Sequence, residues 1–169
     1  MARLGGSMQK YKGFTLIELI VTIAVLAIIA TLAAPSFSNL LIKENLKTTA
    51  FNMRDTLKEA RSRALLNRAP TVVCTSLSKS ASAVSQDTCG ANLANYSAMS
   101  DSLKKDSVFI VNVEKKINVK STSSDSFVFS DRGNLTAAQT ITFCSSAGSY
   151  VLTVGIPGTV EITHGGACS

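Results

Sequence analysis

The chain has 169 residues and a formal net charge of +6, aromatic residues make up 6% of it, and tryptophan is absent. That is one domain's worth of sequence. Its first quarter reads differently from the rest, so the globular part is about 120 residues, enough for one modest core and a poor fit to a large enzyme. Arg3, Lys10 and Lys12 supply half of the charge, and without residues 1–13 it falls to +3, so the basicity that suggests nucleic acid is mostly a short N-terminal flank.

Residues 14–42 form an apolar run, FTLIELIVTIAVLAIIATLAAPSFSNLLI, in which Glu18 is the only charge before Lys43. At about 1.5 Å per residue, a helix of this length is expected to cross a bilayer core, which needs roughly 20 apolar residues. The basic flank then holds the N-terminus in the cytoplasm and places the rest of the chain outside it. An ordinary secretory signal fits less well. The small-residue cleavage candidate, Leu32-Ala33-Ala34, is followed by Pro35, and the apolar run is longer than a signal core. A plain anchor gives no reason for Glu18, because an ionised group in such a run costs roughly 2.5 kcal/mol or more. Cleavage between Gly13 and Phe14 would supply a partner. The new amine of Phe14 lies four residues before Glu18, on the same face of a helix. The pair could form within one chain or between neighbours, and between neighbours it would set axial register, since an unpaired buried carboxylate costs far more than a paired one.

The stretch Lys12-Gly13-Phe14-Thr15-Leu16-Ile17-Glu18-Leu19 resembles the leader-peptidase and N-methylation motif of type IV prepilins and type II secretion pseudopilins. The resemblance implies that a membrane aspartyl peptidase, the prepilin peptidase, removes residues 1–13 and methylates the Phe14 amine. Pro35 falls where many pilins carry a helix-kinking proline, which removes a backbone donor. Ala24, Ala27, Ala30 and Ala34 add a stripe of small residues that permits close helix approach.

Past Pro35, Leu46, Ala50, Met53, Leu57, Ala60 and Ala64 recur in steps of four and three, the pattern of one helical face packed on a core. Asn67-Arg68-Ala69-Pro70 is the expected stop. Seven short β-branched runs follow, at residues 71–75, 108–113, 117–120, 127–129, 140–143, 150–154 and 159–163, read as strands of an antiparallel sheet. Lys115-Lys116, Gly133-Asn134 and Pro157-Gly158 mark turns. The polar, serine-rich stretch 76–105 reads as a long loop tied down through Cys89. Cys74, Cys89, Cys144 and Cys168 lack the paired spacing of zinc or redox motifs, and in an exported head they are expected to form two disulfides. Of the three possible pairings, Cys74–Cys89 with Cys144–Cys168 is preferred because both loops are local, although sequence leaves connectivity open.

One helix feeding a β-rich head, with FSDRG at 129–133, ITF at 141–143 and a closing hairpin centred on Pro157-Gly158, is similar to the GspH/FimT family of minor pilins and pseudopilins. The expected class is therefore α+β and pilin-like. A long N-terminal helix, membrane-spanning in its first half and amphipathic in its second, packs on an antiparallel β-sheet head. The expected parts are a leader at 1–13, a transmembrane or filament-core helix at 14–42, and a periplasmic amphipathic helix with globular head at 43–169. The family implies a minor subunit near a filament tip that helps to prime assembly of a type IV pilus or a type II secretion pseudopilus. It also implies other pilins or pseudopilins as partners through the N-terminal helix, an inner-membrane location before assembly, and a filament afterwards. Some FimT-like members bind DNA through a C-terminal G-R-x-R motif. Here the matching stretch is Gly158-Thr159-Val160-Glu161, without either arginine, so DNA is disfavoured and the structural, FimU-like end of the family is preferred.

Nothing in the sequence suggests catalysis or a cofactor. His164, the one histidine, sits near the C-terminus among glycines, where an exposed tail residue is expected. Asp125 and Asp131 flank the 127–129 run as turn and strand-end aspartates do. Nucleophile-elbow, Walker and dinucleotide motifs are absent. Lys104, Lys105, Lys115, Lys116 and Lys120 read as scattered solvated charges.

Overall fold

A computed structural model describes residues 13–166 and 168, apart from the side chains of residues 32–36. The cations expected in a leader, Arg3, Lys10 and Lys12, and the side chain of Pro35, on which a kink was expected, lie outside the described residues. The chain divides into two units, residues 1–38 and 39–169. Helix α1, Leu16–Asn67, runs through the boundary.

In the first unit α1 begins at Leu16, and residues 13–15 precede it in no regular structure. Thr15 caps the start: its Oγ1 accepts from the Glu18 N–H at 3.3 Å, and its carbonyl accepts from the Leu19 N–H at 3.2 Å. Side chains from Phe14 through Thr31 are exposed. Among the described residues no helix is long and apolar enough to cross a membrane. The part of α1 in this unit with continuously described side chains, residues 16–31, is shorter than the roughly 20 residues a bilayer core requires.

In the second unit α1 presents the expected stripe. Leu46, Ala50, Met53, Leu57, Ala60 and Ala64 are all buried and belong to the main core. The helix stops at Asn67, and Arg68 turns into the left-handed region with φ 48°. Proline at position 70 disfavours helical geometry at Ala69, which accounts for a stop near this point.

Seven strands follow: β1 Thr71–Thr75, β2 Val108–Val111, β3 Asn118–Val119, β4 Ser126–Phe129, β5 Gln139–Ser145, β6 Gly148–Val154 and β7 Val160–Gly165. They form two sheets, ordered β2-β1-β4 and β3-β5-β6-β7. The second is antiparallel throughout, as is the β1–β4 pair. The β1–β2 pair is parallel, with Val72 opposite Val108 and Thr75 opposite Val111. A parallel pair needs a crossover of a dozen or more residues, and this explains the stretch read as a long loop. That stretch is the crossover, and it carries α2 Gln86–Gly90, a 3-10 turn at Tyr96–Ala98 and α3 Asp101–Ser107. Ser85 caps α2 through the Thr88 N–H at 3.2 Å, and Ser100 caps α3 through the Leu103 N–H at 3.4 Å.

Strand β1 is buried on both faces, which accounts for its unbroken TVVCT run. Val73 enters the main core beside Phe127, Phe129, Ile141, Phe143, Leu152 and Val154, so both sheets share one core with α1. Val72 and Cys74 enter a smaller cluster with Cys89, Leu93, Tyr96 and Val108 beneath the crossover. The Thr71 hydroxyl donates to the Ala60 carbonyl at 3.0 Å, fastening β1 to the helix. Disulfides join Cys74 to Cys89, tying β1 to α2, and Cys144 to Cys168, tying β5 to the C-terminus.

Candidate functional site

The residues singled out at the N-terminus come together at the start of α1. Gly13 and Phe14 are exposed, and a side chain added at Gly13 would meet nothing within 4 Å. The peptide bond between them lies in a segment of no regular structure. Thr15 and Glu18 stand in the Thr-x-x-Glu spacing of a helix capping box, with the Thr15 half of the box formed. This signal was legible in the sequence but obscured by the stronger apolar pattern around it.

Glu18 occupies the first turn of α1 and makes no ion pair among the described residues. A carboxylate there faces the positive end of the helix dipole, a favourable placement. Phe14 stands before the cap, not on the helix. Around these polar groups Phe14, Leu16, Ile17 and Leu19 are each at least 60% exposed.

In the second unit, no three histidine, cysteine or acidic groups among the described residues gather as metal ligands, and the four cysteines are all in disulfides. His164 lies on β7, not in a tail, and its ring meets Tyr150 edge-on at 4.9 Å between centroids. Asp125 takes Lys79 at 2.9 Å, and Asp131 lies beyond the opposite end of β4. Tyr96 donates to Asp87 at 3.2 Å. Desolvation first, and then the Asp87 carboxylate, push its hydroxyl above the ordinary tyrosine value, so it stays protonated at neutral pH as a packing group. Lys104 and Lys105 ride on α3 beside the first sheet, whereas Lys115, Lys116 and Lys120 flank β3 at the edge of the second.

The turn carrying Gly158 is built by contact with the helix. Gly158 has φ 77°, and an added Cβ would lie 2.7 Å from both the Arg61 Cδ and the Gly133 carbonyl. The Arg61 Nε donates to that carbonyl at 3.1 Å. The Gly158-Thr159-Val160-Glu161 stretch thus serves as a tight hairpin entry into β7.

The prokaryotic N-terminal methylation motif matches over residues 8–34, and the family described as Type II transport protein GspH matches over residues 49–159. Among solved structures, the crystal structure of the Pseudomonas aeruginosa type IV minor pilin FimU is similar, with a TM-score of 0.47 and 15% identity, covering 75% of this chain and 97% of that one. No curated protein matches this chain.

Proposed function

The chain belongs to the GspH family of minor pilins and pseudopilins, and from that premise we propose that it is a minor subunit of a type IV pilus, helping to prime filament assembly near the tip. The observation that carries this reading is the combination, in one chain, of a head with its own closed core and an N-terminal helix that exposes its apolar side chains around a carboxylate with no ion pair among the described residues. Such a surface is stable only when lipid or other chains cover it. Before assembly residues 14–42 are the inner-membrane anchor, with the head in the periplasm. The apolar composition extends through residue 34, far enough for a span. Prepilin peptidase cuts between Gly13 and Phe14 and methylates the new amine. Afterwards the same helix packs among those of other pilins, Pro35 loosens it, and the Phe14 amine with Glu18 sets register.

The description of the matching family as a type II transport protein supports a second reading, a minor pseudopilin for protein export. The two readings differ in what deletion removes. Loss of surface pili and twitching with protein secretion intact supports the first, and the reverse supports the second. In either system Glu18→Ala is expected to reduce incorporation into sheared filaments by about tenfold or more, the scale of one unpaired charge. Unchanged incorporation would remove Glu18 from assembly. For the DNA-uptake reading, the Gly158-Thr159-Val160-Glu161 stretch carries neither arginine of the motif, and the isolated protein is expected to give no mobility shift with DNA at low salt.

A further inference from the structure

The two disulfides stand in different surroundings. Cys74 and Cys89 are 3% and 1% exposed and sit in the smaller apolar cluster with Val72, Leu93, Tyr96 and Val108. Cys144 is 8% exposed but lies outside both apolar clusters, and its partner Cys168 is exposed. Solvent therefore meets the second bridge at Cys168, whereas the first bridge is covered.

The second bridge also fastens a part of the sheet that little else holds. Cys144 on β5 pairs with Ser149 on β6, and Ser149 pairs with Gly165 on β7. Through Cys168 the bridge ties the end of edge strand β7 to β5, two strands away. The Ser149 hydroxyl donates to the Gly166 carbonyl at 2.9 Å, and the Cys168 Sγ stands 3.8 Å from the Gly148 carbonyl oxygen. The packing is close enough that a Cβ at Gly165 would collide with the Ser149 Oγ. Val160 and Ile162 pack on the main core, but no residue of β7 beyond Ile162 does. Beside the bridge, Ser146, Ala147, Gly148, His164, Gly165 and Gly166 line an open depression of about 200 Å³. All but His164 are small, so an incoming thiol meets little steric obstruction.

We propose that Cys144–Cys168 is a thiol–disulfide exchange site, a reducible latch on the end of β7 that a dithiol opens while the head stays folded. The inference does not depend on which filament the chain serves. A thiolate of the dithiol bonds to the Cys168 Sγ, the Cys144–Cys168 bond breaks, and Cys144 leaves as a thiolate that takes a proton from water. The second thiol of the donor then displaces Cys168. The donor ends as a disulfide and the two cysteines as thiols, so two electrons and two protons have passed to the protein. Exposure is what makes a disulfide labile to this chemistry, and the buried Cys74–Cys89 bridge stays closed. Opening frees the chain after Ile162 as a local event, because the core contacts of β7 precede that point.

The test uses the oxidised full chain in detergent under native conditions. Glutathione is added, the reaction is trapped with N-ethylmaleimide, and the cysteines are mapped by peptide mass spectrometry. The expected first product carries glutathione on Cys168 and maleimide on Cys144, with Cys74–Cys89 intact. With dithiothreitol in place of glutathione, Cys144 and Cys168 should become free at least about tenfold faster than Cys74 and Cys89. Amide exchange of the opened protein should quicken at Gly165 and stay unchanged at Leu57 on α1. Equal rates at the two bridges, or first capture of glutathione on Cys144, would overturn the proposal. Loss of protection at Leu57 on opening would also overturn it, since the bridge would then be a requirement of the fold and not a latch.

Discussion

The two stretches of α1 on either side of residue 38 contrast in what their apolar side chains touch. From Leu46 to Ala64 the stripe is buried to 1% exposure or less by strands of the same chain, whereas Leu16, Ile17 and Leu19 are 60% exposed or more. The later stretch mixes its apolar residues with charges and needs one covered face. The earlier one is apolar around most of its circumference, and its described side chains from Phe14 through Thr31 are exposed. One helix thus contains a segment whose apolar surface is buried by folding and a segment whose apolar surface folding leaves exposed.

Substitutions should separate the two. Leu57→Ala removes a fully buried side chain and is expected to lower the unfolding free energy of the head by about 2–5 kcal/mol, read from urea denaturation of the full chain in detergent. Ile23→Ala should change the same quantity by no more than about 0.5 kcal/mol. Comparable losses would break the contrast. Replacing Cys144 and Cys168 by Ser opens a loop of sequence separation 24 and should cost the head about 2–4 kcal/mol. Faster amide exchange is then expected at Gly165, where β7 pairs with Ser149. Gly158→Ala combines a left-handed φ with pressure on Arg61 and should cost about 1–3 kcal/mol, lowering the thermal midpoint of the head. The smallest effect is expected from Thr15→Ala. Loss of this cap should cost about 1 kcal/mol, confined to the start of α1, with amide exchange quickened at Glu18 and Leu19 and the head's midpoint unmoved.

The parts of the fold that could be read from the sequence are those with a strong local pattern. The α1 stripe, the stop before Pro70, β1 as an apolar run, and the turns at Lys116, Gly133 and Gly158, all at positive φ, follow from periodicity or turn chemistry. The parallel β1–β2 pairing could not be read, because strand direction is decided by the crossover and not by the residues of either strand. Helices α2 and α3, of 5 and 7 residues, are too short for helical periodicity to register, and only their serine caps mark them. At the N-terminus the cleavage motif was plain. The Thr15 cap was less so, because a threonine inside an apolar run reads first as part of that run. The Arg61–Gly133 contact was invisible in the sequence, since it forms only when the β4–β5 turn folds back on the helix.

The most direct measurement is the mass of the mature N-terminal peptide from cells that make the filament. The expected peptide begins at Phe14 and carries one methyl group on its amine, so that the exposed segment before α1 has been cut between Gly13 and Phe14. A chain that retains residues 1–13, or one cut elsewhere, would contradict the assignment of this helix as an anchor that becomes a filament core.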